Sequence, residues 1–101
     1  MITLKKYPNR RIYDTSISEF ITLDDVREML ITDEAFIVVD SRSGKDLTRQ
    51  TLLQILFDIE QDAELGLLNQ RVVASLIKMH SQPDKSKLAS VLEQLIASSD
   101  H

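Results

Sequence analysis

Lys5, Lys6, Asn9, Arg10 and Arg11 fall within one short run, with Tyr7 and Tyr13 interleaved and no carboxylate before Asp14. Cations of this kind grip phosphate, arginine pairs in a bidentate manner with guanine, and asparagine does the same with adenine, so the chemistry on offer is nucleic-acid binding. Residues 1–13 hold four Lys/Arg and no Asp/Glu, whereas residues 14–101 hold eight against sixteen on a chain of net charge −4. A local excess of that sort on an acidic chain points to an anionic partner, with nucleic acid the first candidate. The competing reading is a strand edge whose cations only discourage aggregation.

A two-stranded ribbon fits the major groove. If Arg10 and Arg11 both lie in an extended strand they point to opposite faces, so one at most meets a base. The other then holds phosphate or an internal carboxylate such as Asp14. Lys5, Lys6, Asn9 and Arg10 lead the candidates for DNA contact, and Arg11 follows. Tyr7 and Tyr13 either touch phosphate or pack as half-buried strand residues. Arg42, Lys45 and Arg49, at a turn and a helix start, are further phosphate candidates, set against ordinary solvated surface.

Other chemistries find no support. The histidines, His80 at a helix end and His101 at the terminus, have no second ligand at metal spacing. The glycines, Gly44 and Gly66, stand alone, so no phosphate-cradling loop is written. Asp24-Asp25 reads as a pair of helix-start carboxylates, and serines, histidines and aspartates are otherwise scattered. The chain reads as a non-enzyme without metal or cofactor. It lacks cysteine, which suits a reducing cytoplasm. No apolar run approaches the roughly 20 residues of a membrane span.

The elements that would position the basic run follow from periodicity. Residues 4–7 and 10–14 are extended around Pro8-Asn9, and Glu19-Phe20-Ile21 resumes a strand after a polar turn. Thr22 and Asp25 form a capping box for a helix over 23–31, with Leu23, Val26 and Leu30 on one face and Met29 beside them. Ala35–Asp40 is β-branched and continuous, as a buried strand is, and Lys45-Asp46-Leu47 returns from a turn at Ser41–Gly44. Thr48 reads as the cap of a helix to about Asp62. Its apolar residues, Leu52, Leu53, Ile55, Leu56, Phe57 and Ile59, span more than one seam, so the sheet is expected on one side and a second copy on the other. Asn69 caps a helix to His80 with Val72, Val73, Leu76 and Ile77 inward, and a last helix over about 86–97 carries Leu88, Val91, Leu92, Leu95 and Ile96 on one face. The fold class is α+β: two short hairpins around a short helix, then about three helices, in a chain expected to form a dimer or tetramer.

The motifs themselves carry a resemblance. Lys5-Lys6-Tyr7-Pro8-Asn9-Arg10-Arg11-Ile12-Tyr13-Asp14-Thr15 resembles the opening signature of the polyhydroxyalkanoate synthesis repressor, or accumulation regulator, family. Phe20-Ile21-Thr22-Leu23-Asp24-Asp25-Val26, Phe36-Ile37-Val38-Val39-Asp40, Gly44-Lys45-Asp46-Leu47-Thr48-Arg49 and Leu53-Gln54-Ile55-Leu56 continue it in order, over about residues 3–60. The Ser41-Arg42-Ser43 turn departs from the family form, and the chain ends early, as a short or truncated member would. The resemblance implies a bacterial, cytoplasmic repressor, associated with nucleoid and granules. It would bind promoter DNA of granule (phasin) and related genes and be released by nascent polymer. It also implies a DNA-binding domain over 1–62 and an oligomerisation or polymer- or partner-binding extension over 63–101. The alternative is a granule-associated interaction protein without sequence-specific DNA binding, anchored to polyhydroxyalkanoate or the granule surface by the last helix.

Overall fold

The computed structural model describes residues 1–99, in two compact units: Met1–Leu65, and the segment from Gly66 onward. The first unit runs β1 (Ile2–Lys6), β2 (Ile12–Asp14), β3 (Glu19–Ile21), α1 (Leu23–Ile31), β4 (Phe36–Asp40) and α2 (Thr48–Gln61). Its strands form one sheet in the order β3-β2-β1-β4. The first three pair antiparallel, and β4 lies parallel to β1 with Leu4 opposite Val38. A parallel neighbour requires a crossover, and α1 supplies it. The class is α+β, as the periodicity predicts.

Alternation along the strands builds the core. Leu4, Ile12 and Val38 share one face and are 0–1% exposed, and Val26, Met29 and Ile55 from α1 and α2 cover them. Thr22 Oγ1 accepts the Asp25 N–H at 3.2 Å and Asp25 Oδ2 accepts the Thr22 N–H at 2.9 Å, so the predicted capping box is present. Met29 rather than Leu30 faces the core, Leu30 being 42% exposed. At the other end Asp33 takes φ 59, its N–H donates to Leu30 O at 3.1 Å, and the Glu34 N–H donates to Met29 O at 2.9 Å. This is a Schellman closure with aspartate where glycine is commonest.

The second hairpin is reduced. The Asp40 N–H donates to Lys45 O and the Leu47 N–H to Val38 O, but the returning arm makes a single bridge, Val39 with Asp46. Asp46 Oδ1 accepts the Thr48 N–H at 2.8 Å and turns the chain into α2 before a strand can extend. Thr48 is therefore not the cap expected of it. The cap position is Leu47, without a side-chain bond, and the Thr48 hydroxyl accepts the Val38 N–H at 2.9 Å, fastening the helix start to β4. The turn is tied by Asp40, whose Oδ2 accepts the N–H groups of Arg42 and Ser43 and the Ser43 hydroxyl. The Ser43 N–H, then its hydroxyl, hold the Asp40 carboxyl below the ordinary 3.8. These bonds are complete above that value and are lost only as pH falls through the lower folded-state value.

In α2 the inward residues are Thr51 at 0% and Ile55 at 6% exposure, with Ile59 packed beside them. Ile55 is thus a core residue and is not available to a second copy, contrary to the expectation for it, and Ile59 is turned the same way. Leu52 is half-buried, while Leu53, Leu56 and Phe57 are exposed. The difference arises because Thr51 can turn inward: its hydroxyl is satisfied by Leu47 O at 2.8 Å, so a polar residue occupies the seam that hydrophobicity alone assigns to Leu52.

The second unit holds α3 (Gln70–His80) and α4 (Ser86–Ser99). Asn69 Oδ1 accepts the Val72 N–H at 3.0 Å, as predicted. Val72, Val73 and Ile77, expected inward, are all exposed, and no residue of α3 is buried. Leu88 is 9% exposed, but Val91, Leu92, Leu95 and Ile96 are open. Truncation separates the two kinds of leucine in the first unit. Leu4→Ala should lower stability by about 2–5 kcal/mol, whereas Leu30→Ala should change it by less than about 1 kcal/mol. Equal shifts in the urea midpoints of the two variants would contradict the assignment of Leu4 to the core.

Candidate nucleic-acid interface

The β1–β2 hairpin closes through Pro8, Asn9 and Arg10. The Arg10 N–H donates to Tyr7 O at 3.0 Å and the Tyr7 N–H donates to Arg11 O at 2.9 Å. This is a three-residue hairpin loop in which the last residue must adopt a left-handed conformation. Arg10 does so with φ 67, at a position that glycine would fill without strain. Asn9 Oδ1 accepts the Arg11 N–H at 3.1 Å, so the Asn9 carbonyl is committed to the turn. Arg10 consequently stands in the bulge, outside β2. The expectation that Arg10 and Arg11 alternate along one strand does not hold.

The register then sorts the remaining basic residues. Lys5 lies opposite Tyr13, and Tyr13 opposite Phe20, forming one row on the sheet face away from the helices. Lys6 lies opposite Ile12, on the face that carries Leu4, so the two lysines diverge. Tyr13 and Phe20 meet edge to face with centroids 5.1 Å apart, and Tyr7 stands 5.8 Å from Phe20. The Arg11 guanidinium sits 3.9 Å from the Phe20 ring centroid. The pairing of Arg11 with Asp14 weighed from sequence is not made: Asp14 is 6% exposed, and its Oδ1 accepts the N–H and hydroxyl of Ser16. Phe20 was absent from the candidates. Its signal is its register opposite Tyr13, which requires knowing how β3 pairs.

Residues distant in sequence meet at one end of the sheet. Because β1 and β4 are parallel, Lys6 stands beside Asp40, and the Ser41 N–H donates to Lys6 O at 2.9 Å. The turn with Arg10 and the turn with Arg42 and Lys45 therefore leave the sheet at the same end, and all three side chains are exposed. Arg49, also exposed, opens α2 after the chain has turned back at Leu47. Among the described residues no cluster of His, Asp or Glu could hold a metal, and no helix is long and apolar enough to cross a membrane. In the second unit a groove of about 780 Å³ is lined largely by Leu76, Met79, Pro83, Leu88, Leu92 and Leu95.

Residues 3–63 match the model of the PHB/PHA accumulation regulator DNA-binding domain. An uncharacterized protein of Allochromatium vinosum is 39% identical over 90 residues, covering 89% of this chain and 58% of that protein. An "uncharacterized protein in phbA 5'region" of Thiocystis violacea is 40% identical over 90 residues, covering 89% of this chain and 64% of that protein. The chain thus spans about three fifths of the length of these curated relatives. No solved structure matches it. The matched residues take in β1 from Thr3, the other three strands and both helices of the first unit, and on that match the chain belongs to the PHB/PHA accumulation regulator family, through its DNA-binding domain.

Proposed function

We propose that the chain is a cytoplasmic, non-enzymatic repressor that binds promoter DNA of polyhydroxyalkanoate granule (phasin) and related genes and is released by nascent polymer. Residues 1–62 read the duplex, and residues 63–101 serve assembly or polymer binding. The observation that carries the reading is the convergence of the Arg10 turn and the Arg42–Lys45 turn on one end of the sheet. Two cationic turns side by side suit a groove flanked by phosphates, with Arg10 reaching a base edge and Arg42 and Lys45 holding the backbone. Lys5, Lys6, Arg11 and Arg49 add positive charge around them. Asn9 contributes through the shape of the turn, while Tyr7 and Tyr13 pack with Phe20 on the open sheet face.

The chain assembles as a dimer or tetramer, because so few cations on an acidic protomer need repetition to hold DNA. Leu53, Leu56 and Phe57, at 49%, 47% and 57% exposure, supply the apolar face for it in the first unit. A second reading, a granule-associated protein, is favoured by the apolar groove between α3 and α4 and by the exposed Val91, Leu92, Leu95 and Ile96.

Fluorescence anisotropy on the chain's own upstream duplex should show affinity falling with salt. Arg42→Ala and Lys45→Ala should each lower the salt slope by about one. Arg10→Gly should relieve about 1 kcal/mol of backbone strain, raising Tm, while weakening the preference for that duplex over a scrambled one. A variant that is both no more stable and equally selective would count against the role given to Arg10. Light scattering at micromolar concentration should give at least a dimer mass, reduced by Phe57→Glu; a monomeric wild type would exclude assembly through this face. Removing residues 84–101 should abolish binding to polymer granules and spare duplex binding. Undiminished granule binding would dismiss α4 as the anchor.

A further inference from the structure

We propose that the open face of the sheet binds unstacked nucleobases, so that the chain takes single-stranded nucleic acid as well as duplex. The inference stands on this face and does not depend on the duplex reading. Strand alternation has gathered the carboxylates of the sheet on one face, together with Lys6, and left the other face free of strand carboxylates. Asp14, Glu19 and Asp40, the carboxylates within the strands, share the helix-covered face with Leu4, since Asp14 pairs with Leu4 and Glu19, and Asp40 with Lys6. The opposite face carries Lys5 and Arg11 and no strand carboxylate.

The same face holds three of the chain's five aromatic residues. Phe20 is 46% exposed and Tyr7 37%, with Tyr13 half-buried between Lys5 and Phe20. The Arg11 guanidinium lies within this patch. An apolar protein partner would accept the rings but strand two cations. Duplex DNA would satisfy the cations, but its base faces are already stacked and offer nothing to Phe20. A single strand has both a π face for each ring and a phosphate for each cation, and sheets with exposed aromatics bind it in this way.

The chain has no tryptophan, and its two tyrosines, Tyr7 and Tyr13, both belong to the patch, so intrinsic tyrosine fluorescence reports on this face alone. Oligo(dT) and oligo(U) of about ten nucleotides, which scarcely stack on themselves, are suitable probes at this site size. Both should quench the tyrosines to saturation. In anisotropy with labelled oligonucleotide, Phe20→Leu should weaken single-strand binding about tenfold at unchanged Tm and unchanged duplex affinity. Phe20→Ala should weaken it further, and Arg10→Ala should spare it. Tighter binding of oligo(U) would indicate RNA as the source, tighter binding of oligo(dT) melted DNA, and equal binding recognition of base and phosphate alone; each supports the proposal. Absence of saturable quenching, or a Phe20→Leu variant that binds single strands as the wild type does, would overturn it while leaving the duplex reading to its own Arg10 test. A Phe20→Leu loss equal for duplex and single strand would also overturn it, making the face part of the duplex contact.

Discussion

The pairing of β1 on both its edges is the constraint from which the rest follows. Leu4 is fixed between Asp14 on an antiparallel neighbour and Val38 on a parallel one, and is wholly buried. A shift of one residue in either ladder would exchange Leu4 for Lys5 and expel the core from beneath the helices. The register that protects the core is thus the same register that turns Lys5 outward to Tyr13. Core and surface chemistry in this unit are two consequences of one hydrogen-bond ladder.

Around that ladder, short polar side chains do the work of shaping turns. Asn9 ties the first turn, Asp14 and Ser16 the second, and Asp40 with Ser43 the loop after β4. Arg10, Ser18 and Asp33 take left-handed conformations without being glycine. At Asp33 a short polar residue tolerates that conformation well. At Arg10 no such tolerance exists, and the side chain stands at a position where glycine would avoid the strain.

Much of this was legible in the sequence, for identifiable reasons. The α1 capping box and the Asn69 cap are local, set by residues three apart, and both formed as read. The basic run and the α+β class were likewise visible in spacing. What failed depended on partners far along the chain. Nothing near Lys45–Leu47 announces that β4 will prefer β1 as its neighbour, and nothing near Leu52 announces that Thr51 will turn inward with its hydroxyl satisfied. The convergence of Arg10 with Arg42 and Lys45 depends on the parallel pairing, and the aromatic patch on the register of Phe20, so the site had its residues in the sequence but not its geometry.

The parallel pairing also sets an order of assembly. β1 leaves the ribosome first, yet its second neighbour, β4, starts only at Phe36, and the two must be brought together across β2, β3 and α1. The antiparallel hairpins are local and close quickly, whereas the final strand has to wait for a long loop to be spanned. Until β4 arrives, the β1 edge that it covers, Ile2–Lys6, has no neighbour on that side. The rate-setting event in folding of this unit should be the docking of β4, which makes the turn after it the last part of the basic surface to arrive.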